Sequence, residues 1–117
     1  MFRFVLVVVL CGLAVLGLAS PGERAAAQEP EFTEAYLSDE ENIERGRELW
    51  KQQCVKCHGR SSYPGKAPKL EPDDLTPREI YLKTTYGFGR MPAWENVFSD
   101  AERKAITAYM KSDVFSP

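Results

Sequence analysis

Cys54-Val55-Lys56-Cys57-His58 sets two thiols three residues apart, with an imidazole directly behind the second. On a helical turn, residues i and i+3 share a face, so both sulfurs point the same way. The next residue then projects its ring over whatever the sulfurs hold. C-x-x-C-H is the attachment signature of c-type haem. The thiols of Cys54 and Cys57 add to the two vinyl groups on one edge of a single porphyrin, and His58 binds the iron from one side.

Two other chemistries use C-x-x-C. A structural zinc site takes four protein ligands, whereas the chain beyond its leader holds two Cys and one His. A thioredoxin-like dithiol belongs in a βαβ setting, and no stretch here alternates convincingly as a strand. Haem attachment is the reading that remains.

Upstream of the motif lies an address. Met1-Phe2-Arg3 precedes an apolar run from Phe4 to Ala19, and Ala25-Ala26-Ala27 supplies the small residues of a cleavage site before Gln28. The run falls short of the roughly 20 apolar residues that span a bilayer. Residues 1–27 are therefore expected to be a signal peptide that sends the protein to the periplasm. Retention as a membrane anchor is the second choice. Cys11 leaves with the leader.

Between Gln28 and Glu48 stand eight acidic residues against two Arg. Residues 28–37 show no apolar period and contain Pro30, so they read as an acidic, flexible lead-in. The domain is expected over 38–117. A chain of 117 residues holds one small domain, whose modest core would gain from a bound cofactor. A net charge of −2 gives no basic stripe for nucleic acid.

Three segments begin with S/T-x-x-E: Ser38 to Glu41, Thr76 to Glu79 and Ser99 to Glu102. In that pattern the hydroxyl caps a free backbone N–H and the Glu reaches back to the N-cap amide. Pro77 falls at a first helical position, where its missing N–H costs nothing. The spacing predicts helices over 39–53, 77–86 and 100–111. Ile43, Gly46 and Trp50 share a face of the first, and Ala101, Ala105, Ala108 and Tyr109 a face of the last. The fold class is all-α, with three or more helices and long loops around one haem.

The second axial ligand must come from elsewhere. Met91 lies in Gly87-Phe88-Gly89-Arg90-Met91-Pro92-Ala93-Trp94, and Met110 lies inside the last predicted helix. Pro92 biases Met91 to an extended conformation, while Gly87 and Gly89 admit turns closed to other residues. Such a loop presents a thioether. Met110, beside Tyr109, reads as core filler. His58 and Met91 together would raise the reduction potential and leave no open coordination position for a substrate.

These motifs resemble the class I cytochromes c, small single-haem electron carriers, over about Asn42 to Lys111. Gly46 to Trp50 is similar to the family's first helix, where a Gly lets the last helix cross closely, and Tyr109 to the aromatic packed in that crossing. Ala67-Pro68-Lys69-Leu70 resembles Gly-Pro-x-Leu. The resemblance implies a Pro68 carbonyl accepting a hydrogen bond from His58 Nδ1 and a Leu70 packed on the haem. Met91-Pro92-Ala93-Trp94 resembles Met-Pro-x-aromatic, with Trp94 against the porphyrin. Two departures stand out: Ala67 replaces the usual Gly, and the stretch from His58 to Met91 is short.

The expected function is to carry one electron at a time between redox proteins, without enzymatic activity. Lys51, Lys56, Arg60, Lys66, Lys69 and Arg90 surround the haem motif and the two ligand loops. They would steer periplasmic or membrane-bound redox partners bearing acidic docking surfaces. One alternative is a tethered haem subunit of a larger dehydrogenase or reductase. Another is a sensor or peroxidase with a labile Met91, although no distal His or Arg pair is visible for peroxide chemistry.

Overall fold

The computed structural model describes residues 32–60 and 64–115, so the expected signal peptide lies outside the described residues. The described chain is helical, with a lone antiparallel bridge between Phe88 and Met91 in place of any strand. Five α-helices follow in order: α1 (Glu34–Leu37), α2 (Glu40–Leu49), α3 (Val55–His58), α4 (Pro77–Tyr86) and α5 (Asp100–Met110). A π-helical turn, Trp50–Cys54, joins α2 to α3, and a 3₁₀ turn, Pro72–Asp74, precedes α4.

The lead-in differs from its expected form. Thr33 caps α1 by accepting from the Tyr36 N–H at 3.2 Å, and Phe32 packs on Tyr81 of α4 with ring centroids 5.8 Å apart. Residues 32–37 are therefore held on the body of the domain. The first capping box is also displaced. Ser38 closes α1 in an αR conformation and donates its hydroxyl to the Glu34 carbonyl at 2.7 Å. Asp39 takes the extended backbone that an N-cap requires and accepts from the Asn42 N–H at 3.0 Å. One residue cannot both end a helix in αR and begin the next in an extended conformation.

The first helical run also goes further than residue 53. The π turn carries it through Cys54 and into α3, and it stops at Gly59, whose φ of +80° suits glycine. A π turn widens the helix by one residue and so resets the face presented by everything beyond it. Gly46 and Leu49 are buried before it; Cys54 is buried at its end.

The other two capping boxes form as the sequence predicts. Thr76 with Glu79 and Ser99 with Glu102 each satisfy the reciprocal pair of bonds. α5 ends at Met110, one residue short of expectation. It is almost wholly buried from Ala105 onward, while Ala101 is exposed rather than packed.

α2 and α5 cross at Gly46, where an added Cβ would stand 2.0 Å from the Ala105 carbonyl oxygen and 2.8 Å from the Tyr109 Cβ. The expected Gly46–Tyr109 crossing is thus present. Around it lies the core of Leu49, Trp50, Ile80, Phe98, Ile106, Tyr109 and Phe115. Buried Arg103 ties α5 to the loop before it, donating to the Phe98 carbonyl at 2.6 Å and to the Tyr81 hydroxyl at 3.2 Å. Lys111 bonds the Pro72 and Leu75 carbonyls at 2.9 and 3.0 Å. These ties hold α4, α5 and the loop after α3 around one cleft.

Candidate functional site

That cleft has about 450 Å³ of empty space, part of it open to solvent. The first helical run contributes Trp50, Cys54 and His58 to its wall, and the loop after it Leu70 and Leu75. α4 supplies Ile80, Lys83 and Thr84; α5 supplies Ile106 and Met110; Met91 closes it from the loop between them. Four residues singled out in the sequence therefore share one cleft: Cys54, His58, Leu70 and Met91.

The remaining three lie elsewhere. Cys57 is exposed and free, one helical turn beyond buried Cys54. Trp94 stacks on Phe98, with centroids 5.5 Å apart, rather than on the cleft wall. Its backbone N–H donates to the Thr84 and Thr85 carbonyls at 3.0 and 3.2 Å, so it fastens the methionine loop to the end of α4. Pro68 is exposed, and its carbonyl does not take the hydrogen bond that the resemblance implies. His58 Nδ1 is buried with no partner among the described residues.

Local structure explains how the methionine is presented. Phe88 and Met91 exchange backbone hydrogen bonds of 3.1 and 2.9 Å, closing a tight turn. Gly87 and Gly89 hold φ of +79° and +57°, the left-handed region that favours glycine. The turn points Met91 into the cleft. Met110 reaches the same cleft from α5 while remaining 8 % exposed in the core.

Burial sets the electrostatics. It pushes the Cys54 thiol up to about 12, with Cys57 adding to the effect, and it lowers the pKa of His58. The imidazole is thereby kept in the neutral form that offers a lone pair to a metal. Among the described residues, no three His, Cys, Asp or Glu gather as a metal site. A neutral imidazole, a thioether and a buried thiol on apolar walls fit a haem c, whose second attachment thiol, Cys57, stands exposed outside the cleft lining.

Several wall residues carried no sequence signal. Ile80, Thr84 and Ile106 belong to ordinary helical periodicity, and only the packing of α4 against α5 brings them to the cleft. Among the described residues, Lys83 is the one charged side chain on the wall, and its Nζ lies 3.8 Å from the centroid of the exposed Phe88 ring. Trp50 was placed on a core face by its spacing, but its indole N–H does more. It donates to the Gly59 carbonyl at 3.3 Å and to the Arg60 carbonyl at 3.1 Å.

Solved structures that share this fold include two c-type cytochromes. Cytochrome cL from the marine methylotrophic bacterium Methylophaga aminisulfidivorans MPT superposes with a TM-score of 0.58 and 21 % identity, covering 74 % of this chain and 70 % of its own. The c-type cytochrome NirC superposes with a TM-score of 0.51 and 21 % identity, covering 67 % of this chain and 99 % of its own. No curated protein sequence matches. No helix among the described residues is long and apolar enough to cross a membrane. The family model of cytochrome c oxidase, cbb3-type, subunit III matches residues 41–110, more than half of the chain, from the second residue of α2 to the end of α5. The chain belongs to that family, and it is a class I c-type cytochrome, an all-α haem c protein of electron transfer.

Proposed function

We propose that the protein is an exported, single-haem electron carrier, with Cys54 and Cys57 holding the porphyrin and His58 and Met91 as axial ligands. One observation carries this reading: His58 and Met91, distant in sequence, line the same apolar cleft as Cys54. Haem c supplies a one-electron Fe(III)/Fe(II) couple when bound. The chain does the rest. His58 is offered neutral, Met91 is aimed by a turn fastened to α4, and Leu70, Ile80 and Ile106 make the wall apolar. Cleavage before Gln28 would deliver the mature chain to the periplasm.

The family's description names a subunit of an oxidase, which favours a second reading: a haem subunit tethered within a larger complex. Retention of residues 1–27 in the purified protein, together with comigrating partner chains, would select it.

The test is the optical spectrum of the haem-loaded protein, oxidised and reduced, with and without carbon monoxide. A low-spin spectrum with a thioether-to-iron band, unresponsive to carbon monoxide, is expected. Met91→Ala should abolish that band, and Met110→Leu should keep it. A band lost in Met110→Leu and kept in Met91→Ala would exchange the roles of the two methionines. A high-spin or CO-binding wild type would replace the carrier with a sensor or peroxidase.

A further inference from the structure

Trp50 stands where the α2–α5 crossing meets the C-x-x-C-H motif. It opens the π turn, is 2 % exposed, and its ring centroid lies 5.5 Å from that of His58. On its other sides it meets Phe115 edge-on at 4.9 Å and Tyr109 at 6.2 Å. Its N–H is shared between the carbonyls of Gly59 and Arg60, the two residues that follow His58. The motif's backbone is held at a second point, where the Ala67 N–H donates to the Cys57 carbonyl at 2.8 Å. Nδ1 of the imidazole has no hydrogen-bond partner among the described residues.

We propose that Trp50 is the positioning residue for the His58 ring. The indole ring packs on the imidazole while the indole N–H fixes the chain directly behind it, so the plane of the imidazole is set from α2. Groups that hold a metal-binding His orient the ring and tune the metal without touching it. The proposal deepens the carrier reading and rests on it. The plane of an axial imidazole decides how its π orbitals meet the iron d orbitals. That overlap is read directly in the spread of haem-methyl resonances of the oxidised protein.

The wild-type holoprotein provides the first test, by NMR. The Trp50 indole proton should exchange at least about fivefold more slowly than a free indole, the factor that one ordinary hydrogen bond supplies. It should also show cross-relaxation to Gly59 and Arg60. Trp50→Phe keeps a ring against His58 and Phe115 but removes the donor, and should alter the spread of methyl shifts and the reduction potential. Ile43→Ala, which removes a side chain packed on the core from α2, should lower stability and leave both signals as in the wild type. A fast-exchanging wild-type indole, a Trp50→Phe pattern identical to wild type, or an Ile43→Ala pattern that moves with it would each overturn the proposal. A wild type that fails to attach haem defeats the carrier reading and this inference together. A normal low-spin wild type with a free indole defeats this inference alone.

Discussion

A Cβ added at Gly46 would meet the backbone of Ala105 at 2.0 Å for the oxygen and 2.6 Å for the carbon. These are main-chain atoms of a buried helix, so neither can swing aside as a flexible side chain would. Gly46→Ala must push α2 and α5 apart, and overpacking of this kind costs about 1–3 kcal/mol. The gain in helix propensity from Gly to Ala, about 1 kcal/mol, offsets part of that. A lower denaturation midpoint in Gly46→Ala holoprotein is the expected result. A midpoint at or above wild type would show that the crossing is looser than the 2.0 Å approach implies. Single residues were legible in the sequence where their chemistry is unique. Cys54, His58 and Met91 share one cleft, and Gly46 marks the helix crossing, as the spacing of a Cys pair with a His, a Met beside a Pro and a Gly one turn before a Trp led one to expect. Trp94 and Pro68 were less legible, because an aromatic or a proline in a loop has several stable destinations. Trp94 found Phe98, and Pro68 stayed at the surface.

Helix boundaries show how far local patterns reach. Pro77–Tyr86 was readable from end to end, since a capping box opens it and a positive-φ glycine closes it. The start of α2 was misread by one residue because Ser38 and Asp39 are both good caps, and α1, four residues long, carries no apolar period to advertise that it needs Ser38. The π turn was invisible for a related reason: an i→i+5 turn depends on tertiary packing of Trp50 and Cys54 rather than on residue type. The assignment of the cap is testable. Asp39→Ala should cost about 0.5–2 kcal/mol, the usual price of losing an N-cap. Ser38→Ala should cost clearly less, since its exposed hydroxyl only accompanies a backbone bond to the same Glu34 carbonyl. The two variants are compared by thermal unfolding of the holoprotein. Reversal of their order would restore Ser38 as the cap.

At the scale of the whole molecule, the cations expected around the haem motif divide into two groups. Lys51 lies 2.6 Å from Glu48 and Lys69 lies 3.1 Å from Glu71, so each is largely neutralised at long range. Lys56 is bonded to the Gln53 amide at 3.0 Å. Arg60, Lys66 and Arg90 are exposed and form no ion pair among the described residues. Composition alone weights all six equally; the structure leaves charge without an ion pair among the described residues on the last three and on Lys56. Electrostatic steering raises association rates by about 10–10³-fold and fades as salt shortens the screening length from about 10 Å at 0.1 M to about 3 Å at 1 M. Electron exchange with the hexacyanoferrate couple, a compact polyanion, measures this without a biological partner. Neutralising Arg60, Lys66 and Arg90 together to Gln should slow the exchange by about tenfold at low ionic strength and flatten its salt dependence. Neutralising the pair Lys51 and Glu48 together, with no net change in charge, should leave both nearly as they are. An unchanged salt slope in the triple variant would mean that electrons enter away from these cations, and the acidic-partner hypothesis would have to be abandoned.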